Sequence, residues 1–221
     1  MSQPIELIDI PAEQTTAVTD LFLAVIAFLV LIYLLQIDQY YPWKAHLWAW
    51  AFAGLSLAAA LGAVAHGFKA FPVAKNKIWR LLFLSLGLTV ALFTVGAIFD
   101  IWGITAAQTA LPLMLAIGLA FFGATLIWPN NFFIFVIYQA MAMLFALLGY
   151  GWLALTGQLA GAWFMVGGIF ITLLAAAVQA SGKISLRFIW EFDHNGLYHL
   201  IQMVGIILLA LGLRASLLAA P

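Results

Sequence analysis

The sequence predicts an all-α, polytopic membrane protein built as a seven-transmembrane-helix bundle, on three observations. Hydrophobic residues fill 67% of the 221 positions and charged residues 7%, where soluble domains carry about 25% charged residues. Apolar runs of roughly 20 residues, long enough to cross a ~30 Å hydrocarbon core as helices, recur between short polar links. The ten-residue alternating segments of a membrane barrel do not appear. Cysteine is absent, which excludes disulfides, thiolate nucleophiles and Cys-ligated metals and leaves any metal chemistry to His, Asp, Glu or Asn. Gly-rich phosphate loops and basic nucleic-acid patches are not visible, so no nucleic-acid partner is expected; membrane lipids are.

The elements follow in order. Residues 1–20 hold Glu6, Asp9, Glu13 and Asp20 but no Lys or Arg. They lack the basic start of a secretory signal and read as a cytoplasmic amino-terminal segment of a single domain, 1–221. The first span is Leu21–Ile37. "QYYPWK" separates it from Leu47–Gly67, and "FPVAKNK" leads into Ile78–Phe99. Ala106–Trp128 ends at "WPNN"; Phe132–Leu155, "TGQLAG", Ala160–Gln179 and Gly196–Leu213 complete the chain, with Pro, Gly and Asn marking each break. Trp43, Trp48, Trp50, Trp79, Trp102, Trp128 and Trp190 fall near span ends, as in an interfacial aromatic belt. Asp100, beside Trp102, reads as an interfacial carboxylate in a turn, and Tyr138 and Gln139 as contacts to a neighbouring helix. Lys69, Lys75, Lys77, Arg80, Lys183 and Arg187 share the face of the amino terminus, while Lys44 and Arg214 lie opposite. Retention of positive charge in the cytoplasm then places the amino terminus inside and the carboxy terminus outside.

Polar groups concentrate where this pattern leaves least room for them. "WEFDHNGLYHLIQ" packs Glu191, Asp193, His194, Asn195, His199 and Gln202 into the opening of the last span. His66 ends the second span on the same face, so His66 and His199 are expected to share a pocket. Asn195, His199 and Gln202 follow an i, i+4, i+7 spacing, one stripe of a helix. Imidazole in hydrocarbon is costly and marks function by default. Capping of the last helix by Asp193 or Asn195 is the bland alternative, as is a snorkelling interfacial charge for Arg80. Neutral imidazole suits zinc, and catalytic zinc takes three protein ligands with a fourth position open to water. His66, His194 and His199 are the candidate ligands. Asp193 is the candidate general base or orienting group, Asn195 and Gln202 are candidates for the substrate carbonyl, and Arg80 for a lipid phosphate.

A His closing the second span and the box "HNGLYH" opening the seventh resemble the CREST superfamily of seven-helix membrane hydrolases and receptors, which includes the alkaline ceramidases and the progestin and adiponectin receptors. The resemblance is to a divergent, bacterial-type branch. It implies a zinc ion near one membrane face, held from spans two and seven, with His66 and His199 at matching positions. Three positions differ: Gly62 stands where the family has Ser, Asn195 where it has the first His of span seven, and Lys77, Trp79 and Arg80 open span three in place of an Asp. The expected function is a membrane-embedded, zinc-dependent hydrolase of a lipid amide or ester. The alternative is a non-catalytic lipid or small-molecule binder without metal. A proton-coupled transporter is a weaker third reading.

Overall fold

The computed structural model describes residues 6–69, 72–129 and 131–219. Seven helices carry the described chain: α1 (Pro11–Gln36), α2 (Pro42–Gly67), α3 (Pro72–Trp102), α4 (Ile104–Ile127), α5 (Phe133–Leu155), α6 (Ala162–Ser181) and α7 (His194–Leu218). All seven are long and apolar enough to cross a membrane. Two-residue strands complete the described structure: β1 (Glu6–Leu7) pairs antiparallel with β2 (Phe68–Lys69), and β3 (Leu186–Arg187) with β4 (Glu191–Phe192).

Hydropathy alone places the helix starts too late. α1 begins at Pro11 rather than Leu21 and α2 at Pro42 rather than Leu47, because proline is favoured in the first turn, where its missing N–H has no partner to lose. Residues 11–20 are therefore not part of a separate amino-terminal segment. They form nearly three helical turns at 3.6 residues per turn, and they carry Glu13, Thr16, Thr19 and Asp20 into the bundle. Parts of the "FPVAKNK" and "WPNN" links lie outside the described residues.

Sequence neighbours pack side by side, and α7 returns to lie against α1 while α5 reaches α3. The result is a ring of six helices with α4 set against the outer side of α3. Small residues permit the closest approaches. A Cβ on Gly168 of α6 would stand 2.9 Å from the Gly205 carbonyl oxygen of α7, so these backbones touch where any other residue would hold them apart. Tyr138 donates from α5 to the Gly87 carbonyl of α3 at 3.1 Å, the interhelical contact its sequence position suggests.

At the end of the ring formed by the start of α2, Asp100 departs from the expected interfacial turn. Its side chain is buried and pairs with Lys44, while Tyr150 donates to its other oxygen at 2.7 Å and Lys44 also donates to Ser216 at 2.8 Å. Four helices, α2, α3, α5 and α7, are tied by these four side chains. At the opposite end, Lys69 pairs with Asp9 at 2.7 Å and Glu6 at 3.3 Å across the β1–β2 ladder.

Candidate functional site

The carboxyl end of α2, the first turns of α1 and the start of α7 meet at one end of the ring, around a cavity of about 310 Å³. Its polar wall comprises Asp20, His66, Gln179, His194, Asn195 and His199; Leu23, Leu55, Leu86, Phe135 and other apolar side chains form the rest.

Two carboxylate–imidazole pairs stand at this cavity. His66 Nδ1 lies 2.6 Å from Glu13 Oε2, so the carboxylate accepts the Nδ1 proton, and in the neutral ring Nε2 is the nitrogen that carries the lone pair. The His66 ring is held edge-on by Trp79, with centroids 5.5 Å apart. Deeper in, His199 is 6% exposed, with Nε2 3.1 Å from Asp20 Oδ1 and Nδ1 3.1 Å from Thr19 Oγ1. The Thr19 hydroxyl has one proton, which it donates to the Thr16 carbonyl at 2.9 Å, so its oxygen accepts from His199 Nδ1–H. One further proton then lies between Nε2 and Asp20, on the imidazole or on the carboxyl. Asp20 fits there because residue 62 is glycine: a Cβ at that position would stand 2.6 Å from Asp20 Oδ2. Gly62 thus makes room for a carboxylate from α1.

Asp193 is the N-cap of α7. It accepts from the backbone N–H groups of Asn195 at 3.0 Å and Gly196 at 2.9 Å, from the Thr16 hydroxyl at 2.9 Å and from the Asn195 amide at 3.3 Å. Burial works against its charge. The Gly196 and Thr16 hydrogen bonds, the neighbouring His194 ring and the Asn195 amide outweigh that burial and hold the carboxyl below the usual carboxylate range. Oδ1 makes the cap bonds and closes the helix, while Oδ2 accepts, among the described residues, only from the Asn195 amide.

The other expected site residues separate. His194 and Asn195 line the cavity, and Asn195 Oδ1 accepts from Gln179 at 3.3 Å. Gln202 lies deeper, outside the cavity lining, and bonds Thr172. Arg80 is exposed and lies outside the cavity, on a groove with Asn76, Phe83 and Thr125 that shares Trp79 and Phe132 with the cavity wall. The expected zinc ligands do not assemble into a ligand set. His66, His194 and His199 all line the cavity, but among the described residues no three His, Cys, Asp or Glu side chains gather closely enough to hold a metal ion. His199 has both ring nitrogens engaged, and His66 keeps only Nε2. As arranged, these imidazoles do not fit the tri-histidine centre that the resemblance implies.

Glu13, Asp20, Thr16, Thr19 and Gln179 are the site residues that hydropathy reasoning misses. The signal for three of them is Pro11 followed by Glu13, Thr16 and Asp20 at i, i+3 and i+7, the spacing of one helical stripe.

No curated protein and no solved structure matches this sequence. The pattern of the DUF6962 family, a family of unknown function, matches residues 15–218. That span takes in Thr16, Asp20, His66, His194 and His199, and the chain belongs to the DUF6962 family.

Proposed function

We propose that this chain is a multi-pass membrane hydrolase that cleaves an amide or ester of a long-chain amphiphile, with His66 as general base. The carrying observation is His66, on the wall of a cavity with a polar and an apolar lining, paired with Glu13 outside that lining. Support for the membrane setting comes from the apolar exterior: Phe22, Leu29, Trp50, Leu148 and Phe170 are more than half exposed, a surface that water would disfavour. The basic residues Lys69, Lys75, Lys77, Arg80, Lys183 and Arg187 favour a cytoplasmic site and amino terminus.

In this reading Glu13 holds the Nδ1–H tautomer and Nε2 takes a proton from water. The water oxygen attacks the carbonyl carbon, and the resulting imidazolium returns the proton to the departing nitrogen or oxygen. Gln179 and His194 on the same wall supply donors for the developing oxyanion. The Asp20–His199 pair fixes α1 against α7 and with it the position of Glu13. The groove carrying Arg80 offers lipid a side approach past Trp79 and Phe132. The likeness to CREST hydrolases supports the same substrate class.

The test is release of long-chain fatty acid from a panel of lipid amides and esters by protein in nanodiscs, read by mass spectrometry with and without added zinc. A general base contributes about 10²–10⁴-fold, so His66→Ala should lose at least 100-fold while still folding. Turnover that survives His66→Ala, or no turnover on any lipid, overturns the reading. Turnover that appears only with zinc returns the site to the metal chemistry of the resemblance. Saturable lipid binding without turnover leaves a non-catalytic binder.

A further inference from the structure

Residues 182–191, between α6 and α7, are exposed throughout. α6 ends at Gly182, which turns into the left-handed region at φ 61°, so the helix stops at 20 residues. That length is about 30 Å at 1.5 Å per residue, the thickness of a hydrocarbon core. The chain therefore leaves α6 at the edge of the apolar layer and enters the β3–β4 hairpin at headgroup depth. Large apolar side chains crowd this segment: Ile184, Leu186, Phe188, Ile189 and Trp190 are all exposed, Phe188 to 86%.

The register sorts the hairpin into two faces. Leu186 opposes Phe192 and Arg187 opposes Glu191, and neighbours along a strand point to opposite sides. Phe192 faces the bundle, since a Cβ on Gly196 of α7 would stand 3.3 Å from its Cδ1. Leu186 shares that side, and Arg187 and Glu191 point away from it. Phe188 N–H donates to the Trp190 carbonyl at 3.2 Å, a tight turn that leaves Phe188, Ile189 and Trp190 at the tip. The base is held: the Thr15 hydroxyl of α1 lies 2.6 Å from the Glu191 carbonyl oxygen, and Asp193, two residues on, caps α7. The tip is left bare by the described chain, and the cavity lining is drawn from other elements.

We infer that this hairpin is a phospholipid-binding anchor: Phe188, Ile189 and Trp190 seat in the headgroup–acyl boundary of the leaflet at the cavity end, with Lys183 and Arg187 at the level of the lipid phosphates. Three observations select phospholipid as the occupant. The length of α6 delivers the hairpin to headgroup depth. Its tip carries aromatic and branched apolar side chains, the composition that settles at a membrane interface and that water disfavours. Exposed cations, Lys183 and Arg187, precede the turn and complement phosphate, while Glu191 stands across the ladder from Arg187 on the side away from the bundle. The inference goes beyond the proposed hydrolysis, since it uses the membrane setting and none of the chemistry.

The chain contains no cysteine, so a single introduced cysteine places one nitroxide label on the full chain. Ile189→Cys, Leu148→Cys and Asp9→Cys are compared in phosphatidylcholine nanodiscs. Power-saturation EPR reads collisions with oxygen, which concentrates in lipid, and with a neutral nickel chelate, which stays in water. Leu148, exposed on α5, is the lipid reference, and Asp9, exposed at the cavity end, is the water reference. The Ile189 label should follow Leu148, with the nickel collisions seen at Asp9 lost. Phe188→Ser and Trp190→Ser should each lower the lipid-to-water ratio of that label by about tenfold, as burial of one large apolar side chain allows. An Ile189 label as open to nickel as Asp9, with Leu148 in lipid, overturns the inference alone. So does a label shielded from both reagents, which puts the tip against protein, or one that stays in lipid after both serine substitutions. A Leu148 label open to nickel overturns it together with the membrane setting.

Discussion

Substituting Gly62 tests the geometry around Asp20 with a single methyl group. In an ordinary helix interior, Gly→Ala stabilises by about 1 kcal/mol. Here the new Cβ would stand 2.6 Å from Asp20 Oδ2 and 2.9 Å from its Cγ and Oδ1, far inside van der Waals contact, so the carboxylate has to move. Overpacking of this kind costs about 1–3 kcal/mol. Displacing Asp20 from His199 Nε2, 3.1 Å away, adds part of the roughly 3–5 kcal/mol that accompanies breaking a buried pair from one side. Against a gain of about 1 kcal/mol, the net effect of Gly62→Ala is a loss of about 2 kcal/mol or more, of opposite sign to the helix-propensity expectation. At roughly 2–4 °C per kcal/mol for a chain of this size, the melting temperature in detergent should fall by about 4 °C or more, followed by the fluorescence of the nine tryptophans. In an Asp20→Ala background the three atoms nearest the new methyl are gone, and the same substitution should become neutral or stabilising. A Gly62→Ala protein that melts at or above the parent, with no dependence on residue 20, would refute this packing of α1 on α2.

Other consequences are as direct. Asp193→Ala removes the N-cap of α7 and should cost about 0.5–2 kcal/mol, again read by melting. Because the folded-state pKa of Asp193 is depressed, its contribution is complete above the ordinary carboxylate value of ~3.9 and is lost as pH falls through the lower folded value. The melting difference between parent and Asp193→Ala should therefore narrow only under strongly acid conditions, and a difference that narrows on raising the pH would contradict the assignment. Lys44→Met leaves Asp100 buried without its cation and should destabilise by about 3–5 kcal/mol, whereas Lys44→Met combined with Asp100→Leu should cost much less; equal losses from the single and double changes would deny the pairing. Tyr138→Phe removes the bond to the Gly87 carbonyl and should cost about 0.5–1.5 kcal/mol, and no change in melting would mean that the hydroxyl finds water instead.

The seven helices are legible because each is a long hydrophobic run, long and apolar enough to cross a membrane, and such runs survive any uncertainty about their ends. The ends themselves are less legible. Glu13, Thr16 and Asp20 depress hydropathy where α1 is already helical, so the same polarity that makes them site residues hides their element. His66 and His199 are correctly placed at one end by the antiparallel alternation of α2 and α7. What each imidazole bonds to is a matter of packing: it depends on α1 lying beside α7 and on Gly62 leaving space, neither of which local periodicity encodes. Asp193 shows the converse. A carboxylate just before a helix start is an N-cap by local rules, and Asp193 takes that place at the start of α7. Lys44 and Asp100 are 56 positions apart, and nothing in either neighbourhood marks them as partners.

The most direct measurement of the central claim is the ¹⁵N spectrum of the four histidine side chains at neutral pH in nanodiscs, with Glu13→Ala as the comparison. The account predicts a His66 ring protonated at Nδ1 with a bare Nε2, whose Nδ1 signal shifts when Glu13 is removed. A His66 ring carrying its proton on Nε2, or one indifferent to Glu13, would contradict the base on which the proposed hydrolysis depends.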